Sequence, residues 1–178
     1  MSIDEYRSID KDFDLEIFLS NVSNMFIKYY SAISLNKLDT IKHFVNDELF
    51  NKALDEVNTN KNNNITHMYD MLNVKESNII SIDELDNSYV IKIKLIARYL
   101  DYYINSDGKI SGNDKERVTV PYLIELTKNK DSKEINTIKK CPNCGASLLI
   151  NDSGKCRYCG STYNLMDRNF IITKIELS

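Results

Sequence analysis

All four cysteines of the chain fall between positions 141 and 159, as Cys141-Pro-Asn-Cys144-Gly and, after eleven intervening residues, Cys156-Arg-Tyr-Cys159-Gly. Four thiolates on one tetrahedral ion each lie about 2.3 Å from it, and a two-residue spacer lets a single tight turn deliver two sulfurs. Gly145 and Gly160 follow the second cysteine of each pair. A residue without a Cβ can take positive φ there, so the chain leaves the turn with backbone N–H groups facing the sulfurs and offsetting their charge. The spacing predicts a zinc ribbon in which Cys141, Cys144, Cys156 and Cys159 hold one Zn2+. Neither knuckle contains a His or a carboxylate and no coordination position is evidently left open, so the ion is expected to be structural. Two disulfides would need an oxidising compartment, and the chain shows no signal peptide. A redox C-x-x-C is expected once, at a helix start. Four thiolates could also carry an iron–sulfur cluster, which stays open as a lesser alternative.

A second group of residues could do acid–base chemistry. Asp101 is flanked by Tyr99, Tyr102 and Tyr103, and His67, Tyr69 and Asp70 cluster earlier in the chain. A carboxylate buried among tyrosines can act as a general base with a phenol as oxyanion donor. Asp101 lies near a strand end and turn, however, where a solvated acid is common, and His67 beside an Asn-rich tract reads as exposed. No nucleophile, base and orienting group are spaced as a set. A third group is basic: Lys130, Lys133, Lys139, Lys140, Lys155 and Arg157, with Tyr158 at a knuckle tip, could contact single-stranded nucleic acid. Asp131, Glu134 and Asp152 dilute it.

These residues must be positioned by the elements around them. From Asp12 to Ile33, Phe18, Val22, Met25 or Phe26, Tyr29 and Ile33 recur at three- and four-residue steps, which predicts an amphipathic helix with acids crowding its start. A second helical stretch runs from Ile41 to Val57, with a break near Asn46 and Asp47, and the tract at 58–64 reads as a loop. From Val74 the period moves toward two. Ile91, Ile93, Leu95, Ala97 and Tyr99 alternate with more polar residues, and a strand over 89–104 would be about 50 Å long, so it must bend or bulge. Leu100, Tyr102 and Ile104 are expected to take over there as the apolar set. Asn105-Ser106-Asp107-Gly108 predicts a turn, then a strand through Val118 to Leu126 with Pro121 at an edge or bulge. Phe170 to Leu177 reads as a final strand, expected to pair with the main sheet.

The whole chain has 178 residues, 42% of them hydrophobic and 28% charged, with 5 Gly, 2 Pro and no Trp, the balance of a globular protein. The formal net charge of -3 is unevenly spread. Residues 1–129 carry 15 Lys+Arg against 21 Asp+Glu, a net of -6, whereas residues 130–160 carry 6 against 3, a net of +3. The acidic first part argues against nucleic-acid binding there. No apolar run reaches the roughly 18 residues a membrane span requires, and the N-terminus has neither the basic start of a signal peptide nor the character of a presequence. A cytoplasmic chain, or one peripheral at a membrane, is expected.

Helices followed by long bent antiparallel strands predict an α+β domain with a curved sheet over helices. The run FDLEIFLSNVSNMFIKYYSAISLNKLDTIKHFVNDELFNKALDEV, the bent strand pair, CPNCGASL, GKCRYCGS and the closing FIITKIEL together resemble the bacterial Tim-forty-four-like domain proteins with a C-terminal zinc ribbon. The resemblance covers nearly the whole chain. It implies the cone shared with nuclear transport factor 2, in which N-terminal helices pack on a curved antiparallel sheet around an apolar pocket. Tyr29, Leu95, Tyr99, Asp101, Tyr103 and Tyr122 are the candidates to line it. It also implies residues 1–129 as the α+β domain, 130–165 as the ribbon and 166–178 as a strand returning to the main sheet. The mitochondrial member of the family is a peripheral inner-membrane protein that helps tether the import motor, a role that is not expected to carry over without its presequence and motor-binding region. The favoured function is a non-enzymatic binding or adaptor module holding a partner protein segment or lipid, the zinc ribbon giving a second contact surface. Nucleic-acid binding through the ribbon and a small-molecule enzyme in the pocket are the alternatives.

Overall fold

The structure is a computed structural model that describes residues 1–130, 139–140, 144–148, 156–160 and 170–178. Cys141, Lys133, Lys155 and the boundary at 165/166 lie outside the described residues. Helix α1, Ile3–Ile9, was not expected from apolar periodicity. It is set by a capping box: Ser2 Oγ accepts from the Glu5 N–H at 3.1 Å, and a Glu5 carboxylate oxygen accepts from the Ser2 N–H at 2.6 Å. One turn later Tyr6 is buried, edge-on to Phe13 and Tyr89 at 5.0 and 5.2 Å between centroids.

Helix α2, Leu15–Leu35, starts where Asp14 accepts from the Ile17 N–H at 2.9 Å. Its buried stripe is Phe18, Val22, Phe26, Tyr29 and Ile33, as the periodicity predicts, and it stops at left-handed Asn36 with φ 52°. The second helical stretch is shorter at its start and longer at its end than expected. A single 3₁₀ turn, Leu38–Thr40, precedes helix α3, Asp47–Asn62, whose cap is Asn46, the residue at the expected break. Ile41, Phe44 and Val45 are buried but not helical, because the backbone at 44–46 pairs with Ile172 instead. The Asn-rich tract that reads as a loop is helical through Asn62. Each Asn costs a helix only a few tenths of a kcal/mol, too little to stop one already anchored by Leu49, Ala53 and Val57. The stop comes at Asn63 and left-handed Asn64, φ 53°.

Three long strands follow: β1 (Ile65–Glu84), β2 (Ser88–Asn105) and β3 (Ile110–Asn129). With β6 (Ile171–Leu177) they form one antiparallel sheet in the order β1-β2-β3-β6, while the two-residue β4 (Lys139–Lys140) and β5 (Ser147–Leu148) pair with each other. β1 begins nine residues before the expected change of period, so His67, Tyr69 and Asp70 lie within the sheet and not before it. The long strands bend as required. β1 and β2 slip register three times, first between Asp70 and Asn73, where Met71 takes φ 50°, and β2 and β3 slip between Tyr99 and Asp101.

The expected change of phase in β2 occurs at the register slip between Tyr99 and Asp101: the buried set runs Ile91, Ile93, Leu95, Ala97 and Tyr99 and then passes to Leu100 and Tyr102, while Asp101 is turned to His67. At the turn, Asn105 accepts from the Asp107 and Lys109 N–H groups at 3.0 and 2.8 Å, and Gly108 takes φ 76°. Gly112, at φ 99°, lies so close to β2 that a Cβ would sit 2.9 Å from the Asp101 carbonyl oxygen. Pro121 is tolerated because β6 pairs with β3 only from Tyr122 onward, leaving the stretch before it an edge. β6 is clasped on both sides: it pairs with β3, and Ile172 exchanges backbone bonds with Phe44 and Asn46 at 2.8 and 3.1 Å.

Candidate functional site

Helix α3 and strands β1 and β2 meet at the end of the sheet where Ile65 pairs with Asn105. Register places His67 opposite Tyr103 and Tyr69 opposite Asp101, so these four side chains share a face. Both ring nitrogens of His67 meet a carboxylate: Nδ1 lies 2.9 Å from Glu56 of α3, and Nε2 lies 2.7 Å from Asp101 of β2. The ring is stacked on Tyr103 at 4.3 Å and tilted on Tyr69 at 4.0 Å. Tyr69 donates its hydroxyl to the same Glu56 oxygen at 2.9 Å. The expectation of an exposed His67 is overturned, since its side chain is 11% exposed. The Asn tract beside it is helix, and α3 covers the ring.

Two carboxylate acceptors demand two N–H donors, which only the imidazolium offers. Burial works against that charge, but the hydrogen bonds to Glu56 and Asp101 outweigh it and raise the His67 pKa above its ordinary 6.5. Burial also pushes Glu56 up, and the bonds from His67 and Tyr69 reverse this, leaving it below 4.5. In the imidazolium form the ring donates Nδ1–H to Glu56 and Nε2–H to Asp101. A histidine with both nitrogens engaged is poorly placed to take a proton from a substrate.

Below the knot runs a band of tyrosines. Tyr99 and Tyr122 share a hydroxyl–hydroxyl bond of 2.6 Å, Tyr29 donates to the Leu49 carbonyl at 3.2 Å, and Tyr30 packs between Phe26 of its own helix and Tyr69 at 4.9 and 4.6 Å. Burial raises the pKa of Tyr29, Tyr30, Tyr69, Tyr99 and Tyr122, so all stay neutral phenols. Of the six expected pocket residues, Tyr29, Leu95, Tyr99 and Tyr122 belong to the buried core, whereas Asp101 and Tyr103 border the knot.

The sequence over residues 1–136 matches the Tim44-like domain. The chain belongs to the Tim44-like family. No curated protein matches it significantly. Among solved structures, the crystal structure of the intermembrane space region of chloroplast protein ARC6 is similar at a TM-score of 0.46 and 7% identity, with 89% of this chain and 95% of that one covered. Among the described residues of this Tim44-like protein, no helix is long and apolar enough to cross a membrane.

Beyond the matched Tim44-like region, the Sγ atoms of Cys144, Cys156 and Cys159 all lie within 4.8 Å of one another. Cys144 and Cys156 are 3.8 Å apart, far beyond the roughly 2.05 Å of a disulfide and close to the spacing of two sulfurs each about 2.3 Å from a tetrahedral ion. Gly145 and Gly160 both take φ 71°, the positive value their places after the second cysteines require, and the Gly160 N–H closes the turn on the Cys156 carbonyl at 2.9 Å. The donor set and its spacing fit a metal ion. Tyr158 stands 78% exposed at this turn beside exposed Arg157. Lys130 of the expected basic group is taken up by Glu84 at 2.8 Å.

Sequence reasoning brought neither Glu56 nor Tyr30 to the site of this Tim44-like domain. Glu56 sits three residues after Ala53 and one before Val57, an acid on the margin of the buried stripe of α3. That position was the available signal.

Proposed function

We propose that the chain is a non-enzymatic binding module. Its Tim44-like body holds an apolar segment of a partner protein or a lipid, and a cysteine lobe organised by one structural Zn2+ on Cys141, Cys144, Cys156 and Cys159 gives a second contact surface. Tyr29, Leu95, Tyr99 and Tyr122, buried in the core, would underlie the pocket, and Asp101 and Tyr103 would form its rim. The observation that carries this reading is the saturation of the polar knot: both nitrogens of His67 are engaged by Glu56 and Asp101, which leaves no ring nitrogen poised as a base. Membership of the Tim44-like family supports it, because domains of this family are generally protein- or lipid-binding modules. For the lobe, the support is three converging thiols and two glycines in the required conformation. The zinc would supply folding free energy and hold the exposed turn at Tyr158 rigid.

The test places a photo-crosslinking phenylalanine analogue at position 103 in the full chain, expressed in its native host. A discrete protein adduct or a lipid adduct at that position is the expected result. Adducts no more frequent than at a control site on the opposite sheet face, such as Lys94, would end the proposal. Elemental analysis of the reduced protein is expected to give one zinc per chain, and its absence would remove the lobe from the reading.

A further inference from the structure

The two acids that grip His67 are not equivalent. Glu56 is 31% exposed and its bonded oxygen also accepts from Tyr69, so it is held in place twice. Asp101 is 42% exposed, its side chain bonds to His67, and it borders the turn end of the sheet, where water can replace a lost donor. A neutral imidazole carries a single N–H and can serve only one of them. The acid with less access to water has more to lose without its donor.

We propose that the proton on His67 Nε2 is a latch on Asp101. While it is present, Asp101 is drawn inward across the rim. When it leaves for solvent, His67 keeps its Nδ1–H toward Glu56, and Asp101, now facing a lone pair, turns outward. α3 stays fastened in both states.

The charged and titratable groups that face the ring are accounted for on each element. α3 brings Glu56, with Lys52 acting on it; β1 brings Tyr69; β2 brings Asp101 and Tyr103; α2 brings Tyr29 and Tyr30 toward Glu56. The tyrosines among them are shifted upward and remain neutral, so His67, raised above 6.5, loses its proton before them as pH rises. The outcome is a rim that presents a solvated carboxylate only after the proton is lost, which suits an ammonium or guanidinium group on whatever approaches it.

The inference stands whether or not the body holds a partner, and its test needs no ligand. The full chain, carrying 15N in the rings of His43 and His67, is followed by NMR from pH 5 to 10, with His67→Gln used for assignment. The expected result is an imidazolium at low pH, a midpoint above 6.5, and an alkaline form with the proton on Nδ1, the reverse of the tautomer that free histidine favours. Asp101→Asn is expected to lower that midpoint by about one pH unit. An alkaline form protonated on Nε2, a midpoint at or below 6.5, or α3 amides that exchange faster once His67 is neutral would each overturn the latch. Because the tautomer is read in the unaltered protein, the result does not depend on a variant folding.

Discussion

The body and the cysteine lobe reach order by opposite routes. The body buries Val22, Phe26, Ile91, Ile93, Leu95 and Ile124 to 0% exposure, and α2 and α3 pack on the sheet through such side chains. In the lobe, among the described side chains, Cys156 is the buried one, at 2%, while Cys144 and Cys159 are exposed and gathered with it. A segment with Cys-x-x-Cys turns and few apolar residues cannot offset its chain entropy by burial, and a metal held by thiolates would supply the difference. Stability in this protein is therefore expected to separate into two accounts that can be perturbed one at a time.

The largest effect should come from the metal. An ion held by four thiolates contributes an apparent ~10 to 16 kcal/mol to folding of the segment that binds it. Cys156→Ser, or a strong chelator on the wild type, is expected to release the zinc and raise amide exchange around 144–160 while leaving the helical circular dichroism nearly unchanged. Loss of the helical signal on chelation would mean that the body leans on the lobe. The converse perturbation is Phe26→Ala. Phe26 is fully buried against Tyr30 and Tyr122, both at 4.9 Å, and removing its ring should cost the body about 3 to 5 kcal/mol. Denaturant melts followed by circular dichroism measure the loss, and zinc content should stay at the wild-type value. Coupled losses of zinc and stability in both variants would break the division.

How much of this could be read from the sequence follows the same division. The cysteine pairs are legible because the geometry of a thiolate metal site would dictate their spacing directly, and the α2 stripe because Phe18, Val22, Phe26, Tyr29 and Ile33 repeat at the helical period over about four turns. α1 is not visible to periodicity, since seven residues hold a single buried side chain, Tyr6; the Ser2–Glu5 capping pattern was the signal. The end of α3 was hidden because Asn is a weak local veto that an anchored helix overrides. The passage of the buried set in β2 to Leu100 and Tyr102 was legible from the apolar pattern, whereas the positions at which β1 and β3 slip register against β2 were not, because they depend on strand pairing. The knot was half legible. His67 and Asp101 are 34 residues apart, Glu56 a further 11 before, and only the pairing of β1 with β2 under α3 brings the three together.

The smallest effect belongs to that knot, and it shows that the body's account also has an electrostatic entry. His67 has a folded pKa raised above 6.5, so its stabilisation is fully present below about pH 6.5 and is lost as pH rises through the folded value. Glu56 has a folded pKa lowered from 4.5, so its share is fully present above that pH and is lost as pH falls through the folded value. Both contributions coincide between pH 4.5 and 6.5. Hydrogen bonds to charged groups are worth about 1.5 to 3 kcal/mol before solvent screening, and Asp101 is open enough to water that about 1 kcal/mol is a better expectation for the pH-dependent part. Urea melts at pH 6 and pH 9 should differ by that amount in the wild type, and the difference should vanish in His67→Gln. A pH dependence that survives the substitution would place the titrating group elsewhere and reduce the knot to packing: an aromatic ring held between Tyr69 and Tyr103, its charge immaterial.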